Sequence, residues 1–275
     1  MDRSYLFAPG HNEKLLGKVF DAGADAVILD LEDAVPPDDK DTARAMVAEA
    51  LTAHSAWVRI NAVGTCYAAA DIAAVGGLAR GIRIPKVESV DDVRWAAERA
   101  PGKPLLCAIE TAKGVANAYR IAEQPSVAHL ALGGIDLQKD LGVASCGTPL
   151  QYVRSHLVVA SRAAGIGPPI DSVYPHIHDG DGLRKEATTS CSLGFFGKSA
   201  IHPAQLPTIH AVFDPDADEV KWAKQVLAAF AISNGAAVRL PSGEFIDLPV
   251  AERARNILHL ATIPGRGTSI QVRGG

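Results

Sequence analysis

The chain has 275 residues, 48% of them hydrophobic and 21% charged, with 27 Lys+Arg against 31 Asp+Glu for a net charge of −4. That balance supports a buried core, excludes intrinsic disorder and leaves no basic face for nucleic acid. Residues 1–6 lack a basic segment followed by an apolar run, and no stretch of ~18 apolar residues occurs, so a cytoplasmic protein that does not enter membranes is expected.

In chain order, short apolar runs predict strands at 5–8, 26–31, 57–61, 81–85, 105–109, 129–132, 170–174 and 197–201. Stretches of helical period separate them, such as 42–51, with Asp38, Asp39 and Asp41 near its start, and another after Asp91 and Asp92. Acidic residues are favoured there by the helix dipole. The polar residues that close the middle strands, Asp30, Arg59, Lys86, Glu110 and Asp136, recur at steps of 29, 27, 24 and 26 residues. Each step is one strand plus one helix, and eight such units make a TIM (β/α)8 barrel within the α/β class. An open doubly wound sheet is disfavoured, because no G-x-G-x-x-G follows the first strand. The barrel is expected over residues 1–212 and a C-terminal helical extension over 213–275. Within the extension, 216–234 and 250–261 have helical period, with Gly235 and a short segment 236–248 between them. It is too short to bury much alone and is expected to pack on the barrel or on a neighbouring subunit.

In such a barrel the C-terminal strand ends converge on one mouth, so residues distant in sequence meet there. The strand-end set reads Arg3, Pro9-Gly10, Asp30 to Asp33, Arg59 to Asn61, Pro85-Lys86, Glu110, Asp136, Asp171 and His202-Pro203. Glu110 and Asp136 close consecutive strands and suit Mg²⁺, which keeps several waters and needs only one or two carboxylates. The competing reading is that they cap helices or pair with lysine. Asp30, Glu32 and Asp33 form a dense acidic cluster that requires a cation, an arginine or water. Arg59 can grip a carboxylate or an enolate in two-point fashion, or form a salt bridge to that cluster. Lys86 as a Schiff-base lysine is disfavoured beside a metal pair. His202 reads as a structural histidine, and His176 with His178 lacks a third ligand for zinc. Cys66, Cys107, Cys146 and Cys191 have no C-x-x-C spacing and read as reduced thiols without a catalytic role. No phosphate-binding P-loop is present.

The run Arg3-Ser4-Tyr5-Leu6-Phe7-Ala8-Pro9-Gly10, with Lys14 following, resembles the opening R-S-x-L-F-x-P-G of the citrate lyase beta-subunit-like proteins. These belong to a group of aldolases that includes malyl-CoA and citramalyl-CoA lyases. Residues 24–35, with Lys40 and Ala43-Arg44, resemble that family's most specific motif. Arg59-Ile60-Asn61, Pro85-Lys86, Ile109-Glu110-Thr111, Asp136-Leu137 and residues 197–203 continue the resemblance in order along the chain. It implies a TIM barrel with Mg²⁺ held at Glu110 and Asp136 and with Arg59 on the substrate's oxygens. Arg3 and Lys14 match positions near the phosphates of coenzyme A or of a carrier-protein arm. Residues 243–250 resemble G-x-M-I-D-x-P-V, a tail that some relatives lack. Its aspartate, here Asp247, reaches a neighbouring subunit's mouth in several thioester-handling relatives, which implies a homo-oligomer, a trimer or a multiple of one. Two departures are Ile135, where many relatives carry an acid, and the histidines His176 and His178 in a segment expected to be richer in aspartate.

The implied activity is a Mg²⁺-dependent carbon-carbon lyase that cleaves or condenses a citryl-, citramalyl- or malyl-type thioester, giving acetyl thioester and a 2-keto acid. Arg59 would hold anionic oxygens, and Asp247, or a water held by Glu32 or Asp33, would move the proton. Two alternatives are a metal-dependent aldolase that releases pyruvate from free hydroxy-keto acids, and a non-catalytic subunit of a larger lyase complex.

Overall fold

The computed structural model describes residues 1–144 and 147–263. Chain contacts divide it into one unit of residues 1–209 and a second of residues 210–275. Cys146 lies outside the described residues.

The first unit is a curled, parallel, seven-stranded sheet with helices between the strands. Its strands are β1 (Ser4–Pro9), β2 (Ala26–Asp30), β3 (Trp57–Arg59), β4 (Gly81–Ile84), β5 (Leu105–Ile109), β6 (Val127–Leu132) and β7 (Lys198–Ala200). Their order is β6-β5-β4-β3-β2-β1-β7, so each of the first five pairs with the next in sequence and β7 returns beside β1. Between the outermost strands, Ala131 bridges to Ile170 and Asp171 to Lys198. The run expected as a strand over 170–174 thus pairs at two residues only. Pro168 and Pro169 precede it and cannot donate to a ladder, and the Ser172 hydroxyl is turned to the Gly134 amide at 2.9 Å.

Alternate residues of the strands point into the sheet's concave face. Tyr5, Ala26, Ile28, Trp57, Leu106, Ala131 and Ile170 form one buried cluster there, with Phe7 packed against it. The ring of Trp57 occupies the space beside Gly81, where an added Cβ would lie 2.4 Å from it. This apolar layer is the floor on which the polar strand ends stand, since register pairs Pro9 with Asp30, Asp30 with Arg59 and Arg59 with Arg83.

The second unit contains the helices Ala217–Ile232 and Leu248–Ala261, with a two-stranded antiparallel hairpin between them, β8 (Val238–Arg239) and β9 (Phe245–Ile246). Ala223, Val226, Phe230, Ile246, Ala251 and Ala254 give it a small core of its own. Asp216 and Glu219 close a reciprocal capping box at the start of the first helix. No helix among the described residues is long and apolar enough to cross a membrane.

Candidate active site

The C-terminal ends of the strands open on a cavity of about 490 Å³ lined by Phe7, Asp30, Asp33, Arg59, Arg83, Glu110, Gly133, Asp136 and Ser172 among others. Residues from six consecutive strands, β1 to β6, or from the turns after them therefore meet, as the strand-end spacing predicts.

Asp30, the last residue of β2, takes a two-point grip from Arg59 on β3, with Nε to Oδ1 and Nη2 to Oδ2 both at 2.7 Å. Backbone amides of Glu32 and Ala34 donate to the same carboxylate at 2.9 and 3.2 Å, turning the chain at the strand end. Burial alone would raise the Asp30 carboxyl, but Arg59 and these donors hold it below the usual carboxylate range. Arg59 also lies 2.8 Å from Glu32 Oε2 and 3.5 Å from the exposed Asp33. Arg59 thus forms the salt bridge to the acidic cluster that was one of its two sequence readings, and it also lines the cavity.

Glu32 is buried and receives Lys86 Nζ on Oε1 at 2.5 Å. Burial pushes its carboxyl up to about 7, against the opposing pull of Arg59 and Lys86. Lys86 is half-exposed, and its carboxylate neighbours, Glu32 foremost, outweigh burial and raise its ammonium above the ordinary range. That is the opposite of what a Schiff-base lysine needs. Its backbone has φ 51°, a left-handed conformation rare outside glycine, and its amide donates to Glu110 Oε2 at 3.2 Å.

Glu110 follows β5 and is 3% exposed, with its carboxyl raised by burial and by Asp136 against the pull of Arg83 and Arg59. Gly133 makes room for it: a Cβ there would sit 2.2 Å from Glu110 Cγ and 2.6 Å from Oε1. Asp136 does not end a strand; it stands in the first turn of the helix Gly134–Leu141, three residues beyond the glycine. It faces the cavity with no hydrogen bond or ion pair among the described residues. No group of three or more metal-ligating side chains occurs among them. The donor set at this point is therefore two oxygen carboxylates, one buried in a cradle that only glycine permits. It fits a magnesium ion that retains waters and does not fit zinc.

Arg3 does not reach the mouth. It precedes β1 at the opposite end of the sheet, ~20 Å away along a six-residue strand. There it is 5% exposed and grips Asp25 through Nε at 2.8 Å and Nη2 at 2.7 Å. Its guanidinium serves to fasten β1 to the entry of β2, which corrects the expectation that it meets a carrier's phosphates. Lys14, in the first turn of the helix after β1, is exposed on the mouth side. Asp171 is fully buried against Lys198 at 2.7 Å and Arg154 at 3.4 Å and is absent from the cavity lining. His202 caps a short turn, its Nδ1 accepting from the Ala204 amide at 3.1 Å, which bears out the structural reading. His176 and His178 are exposed in the loop after Asp171, outside the cavity lining. In the second unit Asp247 caps the helix Leu248–Ala261, Oδ1 accepting from the Val250 amide at 3.2 Å.

Two groups were given no role by the sequence: Lys40, named only as part of a motif, and Arg83. Lys40 donates to the carbonyls of Leu31 and Glu32 and to Asn61 Oδ1 at 2.6, 2.7 and 2.8 Å, tying down the acidic turn. Arg83 lies inside β4 and not at its end. The alternation along Gly81-Ile82-Arg83-Ile84 gives the signal that could have found it, since it sets residues 81 and 83 on one face.

The profile of the family described as HpcH/HpaI aldolase/citrate lyase matches residues 3–203. A protein of Cereibacter sphaeroides named (3S)-malyl-CoA thioesterase is 38% identical over 257 residues, 89% of each chain. The citrate lyase subunit beta of Escherichia coli is 36% identical over 286 residues, covering 96% of this chain and 94% of that one. Among solved structures, the protein CitE of Mycobacterium tuberculosis in complex with magnesium, acetoacetate and coenzyme A superposes with a TM-score of 0.83. It is 32% identical, with 94% of this chain and 97% of that chain covered.

Proposed function

The chain belongs to the HpcH/HpaI aldolase/citrate lyase family, and from that premise we propose that it is a magnesium-dependent carbon-carbon lyase acting on a hydroxy-di- or tricarboxylic acyl thioester. The products are an acetyl thioester and a 2-keto acid, and the reaction is reversible. The observation that carries this reading is the pair of cavity carboxylates, Glu110 in its glycine-lined cradle and Asp136 with no hydrogen-bond or ion-pair partner among the described residues. The magnesium, coenzyme A and acetoacetate bound by the CitE protein support it. The same reading takes the curled sheet and its two bridges as an eight-unit barrel, and residues 213–275 as an extension that packs on it or on a neighbouring subunit.

Bound at Glu110 and Asp136, magnesium would polarise the substrate's oxygens and stabilise charge developing on them. Breaking the bond between the hydroxylated carbon and the carbon beside the thioester requires a base for the hydroxyl proton. Glu32, a buried carboxyl raised to about 7, exchanges a proton near neutral pH, and its contacts with Lys86 and with the cavity residue Arg59 hold it in place. Arg59 orients the anionic oxygens from the edge of its pair with Asp30. Asp33, at the exposed lip, holds water. Asp247 supplies a further acid or base to the mouth of an adjacent subunit in a homo-oligomer, and exposed Lys14 takes a phosphate of the carrier, whether coenzyme A or a protein arm.

A second reading is thioester hydrolysis, favoured by the relative named malyl-CoA thioesterase. Mass spectrometry of purified protein with Mg²⁺ and malyl-, citramalyl- and citryl-CoA separates the two. Acetyl-CoA plus a keto acid is expected; free coenzyme A plus an intact hydroxy acid would replace the lyase by the hydrolase. No turnover of any thioester, with cleavage of free hydroxy-keto acids to pyruvate, would overturn both.

A further inference from the structure

Arg83 is a buried cation on the cavity wall with no ion pair among the described residues. It is the third residue of β4, register-paired with Arg59 on one side and Leu106 on the other, so its side chain stands on the concave face above the apolar floor. It is 4% exposed. Nε and Nη1 are buried without a hydrogen-bond partner, no ion pair of Arg83 occurs among the described residues, and only the longer-range fields of Glu110, Asp30 and Glu32 favour its charge. Its guanidinium lies 5.1 Å from the centroid of the Phe7 ring, and the Arg59 guanidinium lies at the same distance from that ring. Arg59, by contrast, spends its fork on Asp30. Burial, with Arg59 adding to it, brings the Arg83 guanidinium down to about 10, which still leaves it a cation at neutral pH.

A buried cation without a counter-ion is costly, and removing the partner of a buried charge is among the most destabilising changes a protein undergoes. A fold that retains such a group at the wall of an open cavity retains it for something that enters the cavity. The complementary shape is a planar anion gripped at two points, which is a carboxylate. Arg83 sits one strand from Glu110, so a molecule whose oxygens engage Glu110 and Asp136 through a metal reaches Arg83 with a second group.

We infer that Arg83 is a specificity-determining anion site that receives a second carboxylate on the keto-acid half of the substrate, so that the keto acid formed is a 2-keto dicarboxylate and not pyruvate or glyoxylate. This rests on the lyase reading for the identity of the ligand. The anion site itself rests on the burial and free donors of Arg83.

The test is calorimetric, on the full chain loaded with Mg²⁺, with wild type beside Arg83→Met and Arg83→Lys. The ligands are pyruvate, freshly prepared oxaloacetate and malonate. Wild type is expected to bind oxaloacetate about 10- to 100-fold more tightly than pyruvate, the range of a charge-assisted two-point contact. Arg83→Met is expected to lose that preference while keeping its affinity for pyruvate and Mg²⁺, and to melt at a higher temperature because an uncompensated buried charge is gone. Arg83→Lys, which keeps the charge without the planar fork, is expected to fall between. Equal preference in wild type and Arg83→Met, or no preference in wild type, overturns the anion site and leaves the lyase reading standing. Malonate binding that depends on Arg83, with neither keto acid bound, upholds the site and overturns the lyase reading. Binding of none of the three overturns both.

Discussion

Burial lifts the Glu32 carboxyl from 4.5 to about 7 although two cations touch it. A carboxyl that holds its proton more tightly folded than unfolded makes the folded state less stable as pH rises from the unfolded value to the folded one. Metal-free protein is therefore expected to lose stability between about pH 4.5 and 7, by about 2–3 kcal/mol from this group. Urea unfolding across that window should display the slope in wild type and a flatter one in Glu32→Gln. Gly133 makes a sharper case. Gly133→Ala would drive a methyl into Glu110, so Mg²⁺ affinity is expected to fall by at least about tenfold, read by titration calorimetry. Asp136→Ala should abolish turnover with the fold intact by circular dichroism, and full activity would remove Asp136 from the metal site. At this scale the sequence was most legible where a polar residue closes a strand. It was least legible where chemistry depends on a side chain's partners: the bidentate pair of Arg59 with Asp30, the remote ion pair of Arg3 with Asp25, and a cation inside a strand all need register and burial to be seen.

Strands of β-branched and apolar residues were readable to within about two positions, because each is buried on both faces and bounded by turn residues. The exception, 170–174, has the composition of a strand but follows two prolines and turns its serine to the helix Gly134–Leu141. Asp136 falls on a helix and not at a strand end because β6 stops at Leu132, as expected, Gly133 leaves room for Glu110, and the helix begins at once at Gly134. The turn after β2 depends on Lys40, buried and donating three times to Leu31, Glu32 and Asn61. Lys40→Met would leave those oxygens unpartnered inside the protein, and a loss of about 2 kcal/mol is expected. Urea midpoints would show it, and activity should fall with it because the turn carries Glu32 and Asp33.

The two units divide the proposed labour. Every group lining the cavity belongs to the first unit, whereas Asp247 belongs to the second and caps a helix there. A purely structural cap predicts that Asp247→Ala costs about 1 kcal/mol of stability and no more activity than that implies. The proposed proton transfer predicts a fall in kcat of about 100-fold or more with the same modest loss of stability. Melting temperature and kcat measured on one preparation separate the two. Sequence alone marked the tail by its helical period and its final motif, but how a second unit meets another chain is not written in periodicity.

The carboxyl groups lining the mouth, Asp30, Asp33, Glu110 and Asp136, outnumber the cations lining it, Arg59 and Arg83. That excess draws a divalent ion toward the mouth and turns away a polyanionic thioester, until the ion has cancelled it. Chronology follows from arithmetic: the metal is expected to arrive before the acid, and mixing order should matter in a stopped-flow trace. Protein preincubated with magnesium would react without a lag, whereas protein that meets ion and thioester together would show one that shortens as the magnesium concentration is raised.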